Sequence, residues 1–105
     1  VETVDDGLVE RALKETILIK RHIEILNLVH KEGPIGIMKI SEILKVPTHK
    51  VRYSLRILEK EGLIAASIDG ATVTYKVPEE LKNLDKELDN LIEIIKEIKI
   101  KAKSY

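Results

Sequence analysis

Apolar positions along this chain fall into helical blocks separated by one strand-like stretch. From about Leu8 to Lys31, Ile19, Ile23, Leu26 and His30 form one stripe, and Leu18, Ile25 and Val29 widen it. A helix apolar over more than half its circumference must bury two faces. One face would cover the next helices, and the other a C-terminal helix or a second subunit. Asp5 or Asp6 is available as an N-cap. A break into two helices near Thr16–Ile17 stays open. Gly33 suits the C′ position and Pro34 prevents continuation.

The next block is short. Ile37, Ile40 and Leu44 lie at i, i+3 and i+7, which predicts a helix from about Ile37 to Leu44, with Ser41 as a small residue that lets a crossing helix approach. Lys45-Val46-Pro47 makes a turn into a longer helix from about Thr48 to Glu61. Pro47 lacks an N–H, which costs nothing at a helix start, and Thr48 is the expected cap. Val51, Leu55 and Leu58 point inward, and Gly62 closes the helix. Leu63–Ile68 and Thr72–Val77 are β-prone runs, with Asp69-Gly70 between them suited to a type I′ hairpin turn.

The last block opens at Pro78-Glu79-Glu80 and ends among lysines, an order the helix dipole favours. Within it Leu81, Leu84, Leu88, Leu91, Ile95, Ile98 and Ala102 recur at alternating spacings of three and four. That is a heptad seam held for three repeats. The alternative is one amphipathic helix folded back on its own domain. A helix of roughly 24 residues spans about 36 Å, more than a module of this size covers, so the seam predicts a homodimer through these seven residues. The organisation expected is a single domain over 1–105: an N-terminal helix or helices (1–32), a helix-turn-helix plus wing (33–77) and a C-terminal dimerisation helix (78–105).

Projecting residues 48–61 at 100° per residue places His49, Arg52, Tyr53, Arg56 and Lys60 opposite the inward stripe. Thr48, His49 and Lys50 crowd the N-terminal turn. Arg52 or Arg56 suits guanine O6/N7, Thr48 a base edge or thymine methyl, and Lys50 and Lys60 phosphates. Lys39 joins this candidate DNA-binding set, and any wing contact falls to Thr72, Thr74 or Lys76, because Asp69-Gly70-Ala71 at the wing tip carries no cation. The plain alternative is a solvated charged face.

The run Leu44-Lys45-Val46-Pro47-Thr48-His49-Lys50-Val51-Arg52-Tyr53-Ser54-Leu55-Arg56-Ile57-Leu58-Glu59-Lys60-Glu61-Gly62-Leu63-Ile64 resembles winged helix-turn-helix regulators of the MarR and ArsR groups. The likeness rests on Leu55, Leu58, Gly62, Leu63 and Ile64, with Ile37, Ile40, Ser41 and Leu44 upstream. It covers about 45 residues. It implies a mainly α fold with a small β-hairpin wing, double-stranded DNA as partner, and a two-fold dimer that sets two recognition helices about 34 Å apart on a pseudo-palindromic site. Lys45 stands where those groups often have Gly, which predicts backbone strain.

Composition narrows the chemistry. The chain has 105 residues, formal net charge zero, no Cys and only three aromatic residues, all Tyr. Positive charge concentrates over 35–76, with seven Lys/Arg against four acids, or +3, while 1–34 gives −2 and 77–105 gives −1. Without Cys there is no disulfide or thiolate metal site. His22, His30 and His49 form no i, i+4 pair, so no metal and no cofactor is expected, and no catalytic constellation appears. No apolar run is long enough for a bilayer and nothing reads as a signal peptide, so a cytoplasmic, non-enzymatic protein with no membrane partner is expected. The dominance of Lys, Glu and Ile, with Gln absent, resembles hyperthermophile proteins and suggests an archaeal source. The competing reading is a winged helix used for protein contact. The operator, the sense of regulation and an unknown small-molecule effector are left open.

Overall fold

A computed structural model describes residues 7–104. The chain forms α1 (Glu10–Glu32), α2 (Ile37–Leu44), α3 (Thr48–Lys60), β1 (Ile64–Ser67), β2 (Gly70–Val73) and α4 (Val77–Ala102). It divides into two compact units, 1–74 and 75–105.

In the first unit, helix α3 lies against α1 and α2, and the hairpin closes one side through β1 on α3 and β2 on α1. The core is small and aliphatic: Ile25, Leu26 and Val29 from α1, Ile40 from α2, Val51 and Leu58 from α3, and Ile64 and Ala71 from the hairpin. With no Phe or Trp, branched and γ-branched side chains interdigitate to supply the volume.

Helix α1 is continuous, with no break at Thr16–Ile17. The Thr16 hydroxyl donates to the Ala12 carbonyl at 2.7 Å and so stays inside the helix. Asp5 and Asp6 lie outside the described residues, and Val9 takes the N-cap position without a side-chain hydrogen bond. The buried stripe is centred differently from the expected one. His22, Ile25, Leu26 and Val29 are buried, whereas Ile19 and His30 are exposed. The stripe rotates toward His22 because α3 offers that residue a polar partner. Gly33 is extended (φ −65°, ψ 150°), so it is not needed for a left-handed turn. It is needed for room, since a Cβ there would stand 2.5 Å from the Val29 carbonyl oxygen and 3.0 Å from that of Ala71.

Helix α2 ends on Lys45 at φ 56°, ψ 44°, the left-handed conformation expected from its place in the turn. The Ser41 hydroxyl donates to the Val46 carbonyl at 2.6 Å and fastens the turn. Pro47, rather than Thr48, is the N-cap of α3. Thr48 is the first helical residue and makes no capping bond, since the preceding proline holds φ at −55° in extended backbone. Gly62, at φ 78°, closes α3, and the Leu63 N–H reaches back to the Leu58 carbonyl at 2.9 Å.

The hairpin is shorter than the β-prone runs. Strands β1 and β2 pair antiparallel with Ile64 opposite Val73 and Ser67 opposite Gly70. The loop residues are therefore Ile68 and Asp69, not Asp69-Gly70. Neither has positive φ; Gly70 does, at 125°, so the turn is not type I′. Gly70 is also pressed against the Ile35 backbone, 2.5 Å from where its Cβ would sit. The contact is structural: Ile35 forms a bridge with Ala71 through hydrogen bonds of 3.1 and 2.8 Å. Ala71 is thus a buried strand residue, and the tip is Ile68-Asp69-Gly70.

The second unit is one long helix, α4, with Pro78 and two acids in its first turn and Lys99 and Lys101 in its last. Leu81, Leu84 and Leu88 are half-buried, while everything from Leu91 to Ile100 is exposed. No described helix is long and apolar enough to cross a membrane.

Candidate nucleic-acid interface

The side of α3 opposite Val51 and Leu58 is open to solvent. His49, Lys50, Arg52, Arg56 and Lys60 are all exposed, while Thr48 is half-buried. Helical phase explains the arrangement: residues one or two positions from a buried i, i+7 pair must point away from it. The outward group therefore carries His49, Arg56 and Lys60, with Arg52 on the flank facing the hairpin.

That flank borders a groove of about 430 Å³ between α3 and the wing. Leu55, Ile64 and Ala71 contribute its apolar lining, and Arg52, Arg56 and Glu59 its charge on the α3 side. Glu59 was not expected on this surface. It stands seven residues after Arg52, almost two full helical turns, and so shares its flank.

Tyr53 does not sit squarely among the cations. It is 43% exposed, and its ring faces that of His22 on α1, with centroids 6.0 Å apart at 43°. Lys39 is exposed on α2 and paired with Glu42 at 3.4 Å. In the wing, the Thr72 hydroxyl donates to the Ala65 carbonyl at 3.4 Å and the Thr74 hydroxyl to the Gly62 carbonyl. Both side chains therefore serve the hairpin's own closure. Lys76 is not in the wing but at the N-cap of α4. At the tip, Ile68 is completely exposed, beside Asp69.

Sequence reasoning missed a cluster behind the basic face. Ser54, fully buried, lies 2.8 Å from His22 Nδ1 and accepts a hydrogen bond from Arg21 Nε at 3.0 Å. The signal was present. Ser54 falls in the inward phase of the Val51–Leu55–Leu58 stripe, and His22 precedes Ile25, Leu26 and Val29 by the same spacing. Burial and the neighbouring Arg21 guanidinium both hold the His22 pKa below its ordinary value, so the ring is neutral near pH 7. No group of three or more His, Cys, Asp or Glu suited to a metal ion occurs among the described residues.

The helix order, the Lys45 turn and the short hairpin together decide the class. The fold is a winged helix-turn-helix. Residues 20–66, from the middle of α1 through β1, match the family model described as bacterial regulatory protein, arsR family. The match supports the chain as a DNA-binding transcription regulator of the winged-helix kind. Among solved structures, the activation domain of the phage T4 transcription factor MotA is similar to it, with a TM-score of 0.55 and 22% identity, over 76% of this chain and 96% of that one. At that identity the likeness concerns the fold alone. The sequence matches no curated protein.

Proposed function

We propose that this winged-helix regulator binds double-stranded DNA sequence-specifically in the cytoplasm, as a homodimer on a pseudo-palindromic site. The observation that carries the proposal is the exposed row His49, Arg52, Arg56 and Lys60 on the second helix of a helix-turn-helix, the element that enters the major groove in this class. Arg52 or Arg56 reads guanine, while Lys50 and Lys60 hold phosphates. The exposed run from Leu91 to Ile100 on α4 supports the dimer, because a heptad seam left in water is best covered by another copy of itself. One recognition helix contacts only a few base pairs, and pairing two of them gives a site long enough to be specific.

Selection of bound duplexes from a random pool, followed by affinity measurement across salt, tests this reading. Binding should weaken with a clear log–log salt slope, and Arg52→Ala should cost about 1–3 kcal/mol and relax one base position. Absence of binding at low salt, or a slope of zero, would sink it.

A second reading, a winged helix that docks on another protein, draws on the wing tip. Ile68 is bare, Asp69 repels phosphate and Glu59 sits in the groove beside it. The similar fold named above is itself called an activation domain. Under this reading, Arg52→Ala combined with Arg56→Ala leaves partner binding intact, while changes at Ile68 abolish it.

A further inference from the structure

Ser54 and His22 are the polar side chains buried in the described part of this aliphatic core, and they join α1 to the recognition helix. The bonds admit a closed account. With His22 neutral and its proton on Nε2, the Ser54 O–H donates to Nδ1 while its oxygen accepts from Arg21 Nε–H, so two donors meet two acceptors. With His22 cationic, Nδ1–H must itself donate to the Ser54 oxygen. That oxygen then receives two donors, its own proton is displaced from its partner, and an imidazolium stands beside the Arg21 guanidinium. In that state the Ser54 proton has lost its acceptor and two cations stand side by side, and low dielectric magnifies both costs.

We propose that Ser54, held from α1 by Arg21 and His22, positions the recognition helix for DNA, and that a proton on His22 releases this hold. The proposal rests on the DNA-binding reading above. The surroundings leave the ring nothing acidic to compensate. From α3 it meets Tyr53, whose ring adjoins it, with Lys50 one turn before Ser54. Strand β2 carries no ionisable residue, and on α2 Lys39 and Glu42 are exposed and engaged with each other. On α1 itself Arg21 is adjacent, and Glu15, Lys20 and Glu24 are exposed to solvent. Tyr53 is the route outward: its ring leans on His22 while its neighbours Arg52 and Arg56 face the groove, so a shift of α3 at Ser54 re-aims the cationic side chains.

The test compares the wild-type chain with His22→Gln, whose carboxamide oxygen can accept from Ser54 without titrating. Affinity for a duplex recovered from the random-pool selection is followed from about pH 7.5 to about pH 5.5, the range that straddles the ordinary imidazole pKa. Circular dichroism confirms that both proteins stay folded throughout. Wild-type affinity should fall about three- to tenfold further than that of His22→Gln, the scale of a coupling of up to one pK unit. His49 is the same in both proteins, so its contribution cancels in the comparison. Superimposable profiles would overturn the proposal. Should His22→Gln fail to fold, the wild-type chain decides by NMR: α3 amide shifts around Ser54 that follow the His22 ring titration support the hold, and amides that ignore it refute it. A chain that binds no duplex at any pH sinks the DNA reading, and the NMR arm still tests the coupling itself.

Discussion

Helices α3 and α4 are both amphipathic, and their apolar stripes meet opposite fates. In α3, Val51 is fully buried and Leu58 is 2% exposed, because α1, α2 and β1 close over them. In α4, Leu91, Ile95 and Ile98 keep 41%, 47% and 54% of their surface in water. The two stripes are equally regular in sequence. What separates them is that the stripe of α3 lies inside the core of the first unit, while this part of the α4 stripe is exposed. A periodic stripe states that a face wants a partner, and says nothing about which partner it will find. The polar faces differ in a matching way. The outward side of α3 carries cations with one acid at its edge, whereas α4 mixes Lys, Glu and Asp along its length, as a solvated helix flank does.

The contrast can be broken at its weak end first. Ile95→Glu together with Ile98→Glu removes four apolar side chains from a two-copy seam. At about 1.5–3 kcal/mol each, this amounts to ~6–12 kcal/mol of association free energy. Analytical ultracentrifugation should show a wild-type dimer and a variant monomer that is still folded. A wild-type chain that is monomeric at micromolar concentration would remove the dimer from the proposed function. The strong end of the comparison is Ile25→Ala, in the part of α1 against which α3 packs. Loss of a fully buried Ile side chain should cost about 2–5 kcal/mol in denaturant unfolding. A loss below about 1 kcal/mol, the level of ordinary surface changes, would mean that this core is looser than its burial indicates.

The smallest effect sharpens the comparison rather than breaking it. Lys45 is the non-glycine described residue with positive φ, and it sets the angle at which α2 delivers α3. Lys45→Gly relieves the left-handed backbone at the cost of a more flexible unfolded chain, for a net gain of up to about 1 kcal/mol. Thermal unfolding at fixed protein concentration would show it, and a drop in stability would mean that the Lys45 side chain does something the backbone does not reveal.

Much of this was legible before the structure. The bounds of α2 and α3 follow from the spacing of Ile37, Ile40 and Leu44, from Pro47 and from Gly62, because proline, glycine and period act within a few residues. The outward position of Arg52, Arg56 and Lys60 follows from the same local geometry. The Lys45 strain was also foreseen, since a tight interhelical turn requires a left-handed residue whatever its side chain. The hairpin was found, but its turn was misplaced. Asp69-Gly70 has the composition of a type I′ turn, yet Gly70 is spent on close approach to Ile35, a contact 35 residues away in the chain. In the same way the stripe of α1 was set one residue out of phase. Ile19 looks like core from its hydrophobicity, whereas His22 is core because Ser54 waits for it across the helix boundary.

Local chemistry in the chain therefore determined the helices, their ends, the existence of a wing and the basic side of α3, because propensity, capping and period depend on near neighbours alone. The tertiary structure decided which stripes are covered, which glycines are needed for room, that Thr72 and Thr74 serve the hairpin, and that His22, Arg21 and Ser54 meet. Each of those outcomes depends on a contact between segments far apart in sequence, and no residue-by-residue preference carries that information.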